Sequence, residues 1–195
     1  VAGHHVRGRE GLSAEGGVTR SDQPRRRWRW SGAALVAASL AGCPAPPPVP
    51  PPVSEQADRI VVEKQRRELL LIQGDRVIRR YRVALGWNPV GPKQMEGDGR
   101  TPEGSYTVDW HNPNSRYHLS LHVSYPEPHE CEQAAANGVS PGGDIMLHGL
   151  PNDHAYWGRG HVRTDWTAGC IAVTNEEIED IWTLVRDGTP IDILP

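Results

Sequence analysis

ELLLIQGDRVIRRYRVALG, residues 68 to 86, is the stretch on which the fold turns. Two runs rich in branched and aromatic residues flank Gly74 and Asp75. Along the second run Val77, Arg79, Tyr81 and Val83 point one way, and Ile78, Arg80, Arg82 and Ala84 the other. Successive side chains of a strand face opposite ways, so period-two alternation on both sides of a glycine turn predicts a β-hairpin. Working outward, TPEGSYTVDW (101–110), YHLSLHVSY (117–125), GGDIMLHG (142–149) and TPIDILP (189–195) are further strand segments bounded by Gly and Pro. One segment breaks the pattern. Thr174 and Glu177 form a Ser/Thr-x-x-Glu capping box, and Ile178, Ile181, Trp182 and Val185 follow at helical spacing, which predicts a helix of about three turns ending at Gly188. The expected fold is mainly β, with one or few short helices.

The 195 residues suffice for one domain with a real core, but not all of them carry folding information. Residues 1 to 24 show no apolar period, and PAPPPVPPP (44–52) favours an extended, solvated polyproline conformation. The expected division is an extension with an export signal at 1–43, a Pro-rich linker at 44–57, and a catalytic domain at 58–195. Charge divides in the same way. Seven Arg stand against three acids up to Cys43, and 14 basic against 21 acidic residues follow, so the domain is net acidic and nucleic acid is not an expected partner.

Between the two unpatterned stretches, RRRWRW (25–30) is a basic flank, SGAALVAASL (31–40) an apolar run, and AGC (41–43) a set of small residues at a cleavage point. That order reads as a secretory signal, and ten apolar residues are too few for a helix across a hydrocarbon core of roughly 30 Å. LAGC (40–43) resembles the lipobox of bacterial lipoproteins, which implies cleavage before Cys43 and lipid on its thiol. The expected location is the cell envelope, anchored by lipid at a periplasm-facing membrane surface.

Exported cysteines are usually paired unless they have chemistry to do. Cys131 and Cys170 remain after Cys43, and a disulfide between them is one reading. The other rests on the surroundings of Cys170 in DWTAGCIAVTNEEIEDIW (165–182): Gly169 permits a close backbone approach, and the N–H groups of Gly169 and Cys170 suit an oxyanion. His148 closes a strand in DIMLHG and supplies an imidazole.

RRELLLIQGDRVIRRYRVALG, GDGRTPEGSYTV, GGDIMLHG and DWTAGCIAVTNEEIEDIW, in this order, resemble the catalytic domain of bacterial L,D-transpeptidases, the YkuD-like family. The resemblance covers roughly residues 58 to 195. It implies a β-sandwich-like or barrel-like fold, a catalytic cysteine, and action on peptidoglycan stem peptides with no cofactor. The family's His-Gly pair falls on His148 and Gly149, and its Ser/Thr-His-Gly-Cys motif on Thr167, Ala168, Gly169 and Cys170. Ala168 stands where the family usually has histidine, and Ala172 where an arginine commonly follows. Asn175 keeps the position of a later asparagine. These departures resemble a divergent branch that includes an endopeptidase detaching lipoprotein from murein.

The resemblance implies that Cys170 attacks a stem-peptide carbonyl and that His148 moves the proton, with Gly149 orienting the imidazole through its backbone and Gly169 offering an oxyanion N–H. An amine acceptor gives transpeptidation, and water gives carboxypeptidase or endopeptidase cleavage. Carbapenem-type acylating agents are expected to react at the same thiol. The loop from Leu150 to Trp166 is expected to line the stem-peptide groove, with Arg159 and Arg163 as carboxylate partners and Trp166 and Thr167 beside them. His148, His154 and His161 are spaced by six and seven residues, which matches no compact metal-ligand motif, and no metal is expected. An inactive, lipid-anchored peptidoglycan-binding protein is the reading from another class.

Overall fold

The computed structural model describes residues 55–195; the expected export signal, the lipidation site Cys43 and all of the linker up to residue 54 lie outside them. In chain order the elements are β1 (Arg59–Glu63), β2 (Glu68–Gln73), β3 (Arg76–Arg82), β4 (Gly104–Asn112), β5 (Ser120–Val123), α1 (Pro128–Ala136), β6 (Met146–His148), a 3-10 segment (Ala155–Arg163), β7 (Ile171–Ala172), α2 (Asn175–Leu184) and β8 (Pro190–Leu194). Packing extends ahead of β1: Ala57 is buried and its N–H donates to Leu184 O at 2.8 Å.

The hairpin at 68 to 86 is present as β2 and β3, turning at Gly74 with φ 58°. Its alternation is not continuous. Leu71 pairs with Arg79 but Ile72 with Val77, so Ile78 is an extra residue in a β-bulge. Tyr81 and Val83 are buried as a result, whereas Val77 is 44 % exposed.

All eight strands join one sheet in the order β3-β2-β1-β8-β4-β5-β6-β7. The pairs β1–β8 and β6–β7 are parallel and the others antiparallel. The chain leaving β3 then returns to β7. Ala84 and Ala172 exchange N–H···O bonds of 3.0 and 2.9 Å, and Gly86 bridges Thr167. This contact between the two ends curls the sheet into a half-barrel. Inward side chains make one core: Ile60, Leu69 and Leu71 from β1 and β2, Tyr106, Val108, Leu121 and Val123 from β4 and β5, Leu147 from β6, Ile171 from β7, and Ile178 and Ile181 from α2.

Helix α2 begins where the capping box puts it. Thr174 Oγ1 accepts from the Glu177 N–H at 3.2 Å, and the Thr174 N–H donates to Glu177 Oε2 at 2.9 Å. It ends at Leu184, four residues before Gly188, because Val185 turns extended and buries its side chain in the core. Helix α1 and the 3-10 segment were not anticipated. In α1 only Ala134 is buried, so PHECEQAAA carries no apolar stripe to read, and its start is set by a proline and the Glu127–Glu130 capping box. No helix of the described residues is long and apolar enough to cross a membrane.

Candidate active site

Pairing between β4, β5, β6 and β7 lays two rows of side chains across the sheet face opposite the core. Asn112 pairs with Ser120, Ser120 with His148, and His148 with Ala172. In the neighbouring row Trp110 pairs with His122 and His122 with Met146, and the next residue across is Cys170. The Met146 N–H confirms that last neighbour, donating to Cys170 Sγ at 3.4 Å. Cys170 and His148 are therefore diagonal neighbours on adjacent strands, a separation that side chains of this size can close. Asn112, residues 114 to 117, Ser120, Asp144, Met146, His148 and Cys170 border one cleft of about 320 Å³.

His148 is 3 % exposed. Its ring centroid lies 4.4 Å from that of Tyr117 and 5.8 Å from that of Trp166, which is itself packed edge-on against Trp157 of the 3-10 segment. Nδ1 lies 2.6 Å from Gly149 O. A carbonyl only accepts, so Nδ1 carries the proton and Nε2 is left as the basic nitrogen. Burial pushes the imidazole pKa down to about 4, more than offsetting the pull of the Gly149 carbonyl, and nearby His161 adds to the fall. Burial also raises the Cys170 thiol, against the stabilising Met146 N–H, with Asp144 raising it further. Sγ is 3.6 Å from Asp144 O. In this state the site holds a neutral thiol bonded to the β6 backbone and a neutral imidazole one strand away.

Gly149 and Gly169 are required by contact. A Cβ on Gly149 would lie 2.7 Å from Asn175 Oδ1 and 3.0 Å from Tyr117 O. At Gly169, with φ 139°, it would lie 2.7 Å from Arg100 O. Asn175 at the start of α2 explains the first approach: its Oδ1 accepts the Leu150 N–H at 2.8 Å. One peptide unit, Gly149–Leu150, thus joins Asn175 to His148, with its carbonyl on the imidazole and its N–H on the amide.

Other expected site residues are placed differently. The Gly169 N–H donates to Thr167 Oγ1 at 3.1 Å, and Thr167 Oγ1 donates to Cys170 O at 2.7 Å. Thr167 is buried and braces the turn that carries Cys170, and it occupies the N–H expected to serve an oxyanion. Arg159 borders a hollow with Arg80, Arg82 and His161, and Arg163 borders another with Trp157, Gly160 and Trp166. Neither lines the Cys170 cleft. The arginine that borders that cleft is Arg116, which only the path of the β4–β5 connection brings to the site. Asp165 anchors the same turn from behind, accepting from the Arg67 guanidinium at 2.8 Å and from the Leu85 N–H at 2.9 Å. Ala168 is exposed, and Ala172 is fully buried and paired with His148. Cys131 is a free, exposed thiol on α1, and Cys170 is free as well, so the disulfide reading does not hold. Among the described residues, no three His, Cys, Asp or Glu side chains converge as metal ligands.

The L,D-transpeptidase catalytic domain model of the YkuD family matches residues 57–193. YafK of Escherichia coli (strain K12), whose assignment as an L,D-transpeptidase is itself provisional, is 29 % identical over 107 residues, which is 54 % of this chain and 36 % of YafK. Among solved structures, the helical cell shape determining protein Pgp2 of Campylobacter jejuni superposes with a TM-score of 0.54 at 26 % identity, covering 69 % of this chain and 46 % of Pgp2. Bd1075 of Bdellovibrio bacteriovorus gives 0.49 at 26 %, over 70 % of this chain and 47 % of its own. The chain spans about a third of the curated relative that it matches and less than half of these solved chains. A half-barrel that presents a cysteine and a histidine on adjacent strands, matched by the family model across nearly all of its described residues, belongs to the L,D-transpeptidase catalytic domain family.

Proposed function

We propose that this protein is a cysteine acyltransferase acting on peptidoglycan stem peptides. The observation that carries the reading is the shared sheet face on which Cys170 and His148 stand as diagonal neighbours bordering one cleft, with Nδ1 committed to Gly149 O and Nε2 left basic. Rotation of the Cys170 side chain away from Asp144 O brings Sγ toward Nε2. The thiol proton passes to Nε2 as Sγ attacks the stem carbonyl. The C–N bond then breaks, the departing amine takes the proton from Nε2, and a thioester remains on Cys170. An incoming amine attacks the thioester and gives up its proton to Nε2, and Sγ leaves and regains that proton as the free thiol. Water follows the same path to carboxypeptidase or endopeptidase products. The Cys170 N–H, next to the engaged Gly169 N–H, is the main-chain donor nearest the oxyanion. Arg116 faces the carboxylates that such stems carry.

Likeness to Pgp2, a protein named for its part in helical cell shape, supports a role in wall remodelling. Export and a lipid anchor at Cys43 belong to the same proposal and rest on RRRWRW, SGAALVAASL and LAGC. Incubating the purified protein with disaccharide tetrapeptides, followed by intact-mass and muropeptide analysis, tests the reaction. The expected result is a thioester mass on the wild type, absent from Cys170→Ala, and release or exchange of the terminal stem residue. A carbapenem is expected to add one covalent mass under the same dependence. Binding without acylation would instead identify an inactive wall-binding protein. For the anchor, Cys43→Ala is expected to release the protein from the detergent phase.

A further inference from the structure

Trp110 on β4 is 43 % exposed, and no step above uses it. Its indole is stacked on the imidazole of His122, with centroids 5.5 Å apart and planes within 22°. His122 Nδ1 in turn lies 2.6 Å from Asp109 Oδ1, which fixes the ring that carries the indole. A cross-strand aromatic pair of this kind stabilises a sheet, and that accounts for the covered face of the indole. It does not account for the uncovered one.

Position supplies the second observation. Trp110 stands in the same row as Cys170, with His122 and Met146 between them. Three strand spacings of about 4.8 Å put it roughly 14 Å from the nucleophile. The row continues the cleft: Asn112, two residues further along β4 on the same face, borders it. A stem of three to four residues running extended from the acylated carbonyl spans roughly 10–14 Å, which brings its glycan-linked end to the indole. The polar side chains beside Trp110, His122 and Asp109, are already bonded to each other, so the surface offers a flat, electron-rich ring. A pyranose ring, whose C–H hydrogens carry partial positive charge, complements such a face, and the side-chain amides of Asn112 and Asn114 suit its hydroxyl and acetamido groups.

We propose that Trp110, held by His122 and Asp109, is a subsite for an N-acetylated sugar of the glycan strand bearing the donor stem. The proposal rests on the stem-peptide reading of the Cys170 cleft. It makes the protein selective for stems still attached to glycan over free peptides.

The test uses the full chain carrying Cys170→Ala, so that binding is measured without chemistry. Calorimetry compares a disaccharide tetrapeptide with the free tetrapeptide of the same sequence. The sugar is expected to tighten binding about tenfold. Adding Trp110→Ala is expected to erase that increment and leave the affinity for free peptide unchanged, whereas Trp110→Phe keeps most of it. With Trp110 intact, the indole N–H resonance, assigned by its loss in Trp110→Phe, is expected to shift with the disaccharide peptide and not with the free peptide; this reading does not depend on the alanine variant folding. Equal affinities for the two ligands, an increment that survives Trp110→Ala, or an unmoved resonance would overturn the subsite alone. Failure of both ligands to bind would overturn the stem-peptide reading as well.

Discussion

At Cys170 the competition is between a thiol raised by burial and an imidazole lowered to about 4 by the same cause. A proton therefore stays on sulfur until substrate excludes water and brings the two groups together. Alkylation by iodoacetamide in the absence of substrate should be slow near neutrality and climb with pH past about 9, since the thiolate is the reactive form. A rate plateau between about pH 6 and 8 would mean a standing thiolate–imidazolium pair and contradict this. His148→Ala should slow carbapenem acylation of Cys170 by about a hundredfold to ten-thousandfold, the usual contribution of a positioned acid/base. His154→Ala should cost far less in the same stopped-flow measurement, because that imidazole sits on Asp153 at 2.8 Å and does not border the cleft.

Helix α2 couples fold to site at the scale of one element. Its capping box fixes the first turn, and that turn delivers Asn175 to the Leu150 N–H. Asn175→Leu leaves that N–H unpaired beneath a buried residue, at an expected cost of about 1–3 kcal/mol in urea unfolding, and it should slow acylation by loosening the carbonyl that holds His148. Asn175→Asp restores an acceptor and should recover most of both; equal losses in the two variants would assign Asn175 to packing alone. The box, the hairpin and most strands were legible in sequence because each is written in neighbouring residues. The bulge at Ile78, helix α1 and the two-residue β7 were not. A bulge follows from how β2 meets β3, α1 buries a single side chain, and β7 exists only through its pairing with β6 and Ala84.

Across the molecule, two buried imidazoles set the response to acid. His148 and His161 both have pKa values pushed down to about 4 by burial, from an ordinary 6.5. Between those values the unfolded chain binds protons that the folded one does not, so stability is full above about pH 6.5 and falls as pH drops toward 4. Urea midpoints should fall between pH 7 and 5, and His161→Leu should flatten the slope; equal midpoints for the wild type at both pH values would count against it. The same scale explains what sequence motifs could show of the site. Cys170 and His148 are local signals, each at a glycine beside a strand. Arg116, Tyr117 and Asn112 reach the cleft only through the register of β4, β5 and β6, and the Gly169 N–H was lost to a hydroxyl two residues away. Neither kind of information lies in a motif.

Strand β8 occupies the middle of the sheet, parallel to β1 and antiparallel to β4, although it is formed by residues 190–194. Before it arrives, β1 to β3 and β4 to β7 are two half-sheets with unpaired edges and a large separation in sequence between the strands that must meet. The segment made late thus acts as a keystone. A chain still emerging from the ribosome has Cys170 and His148 in hand before the strand that joins the two half-sheets is made, so completion of the sheet waits on residues 190–194 and not on the residues that do the chemistry.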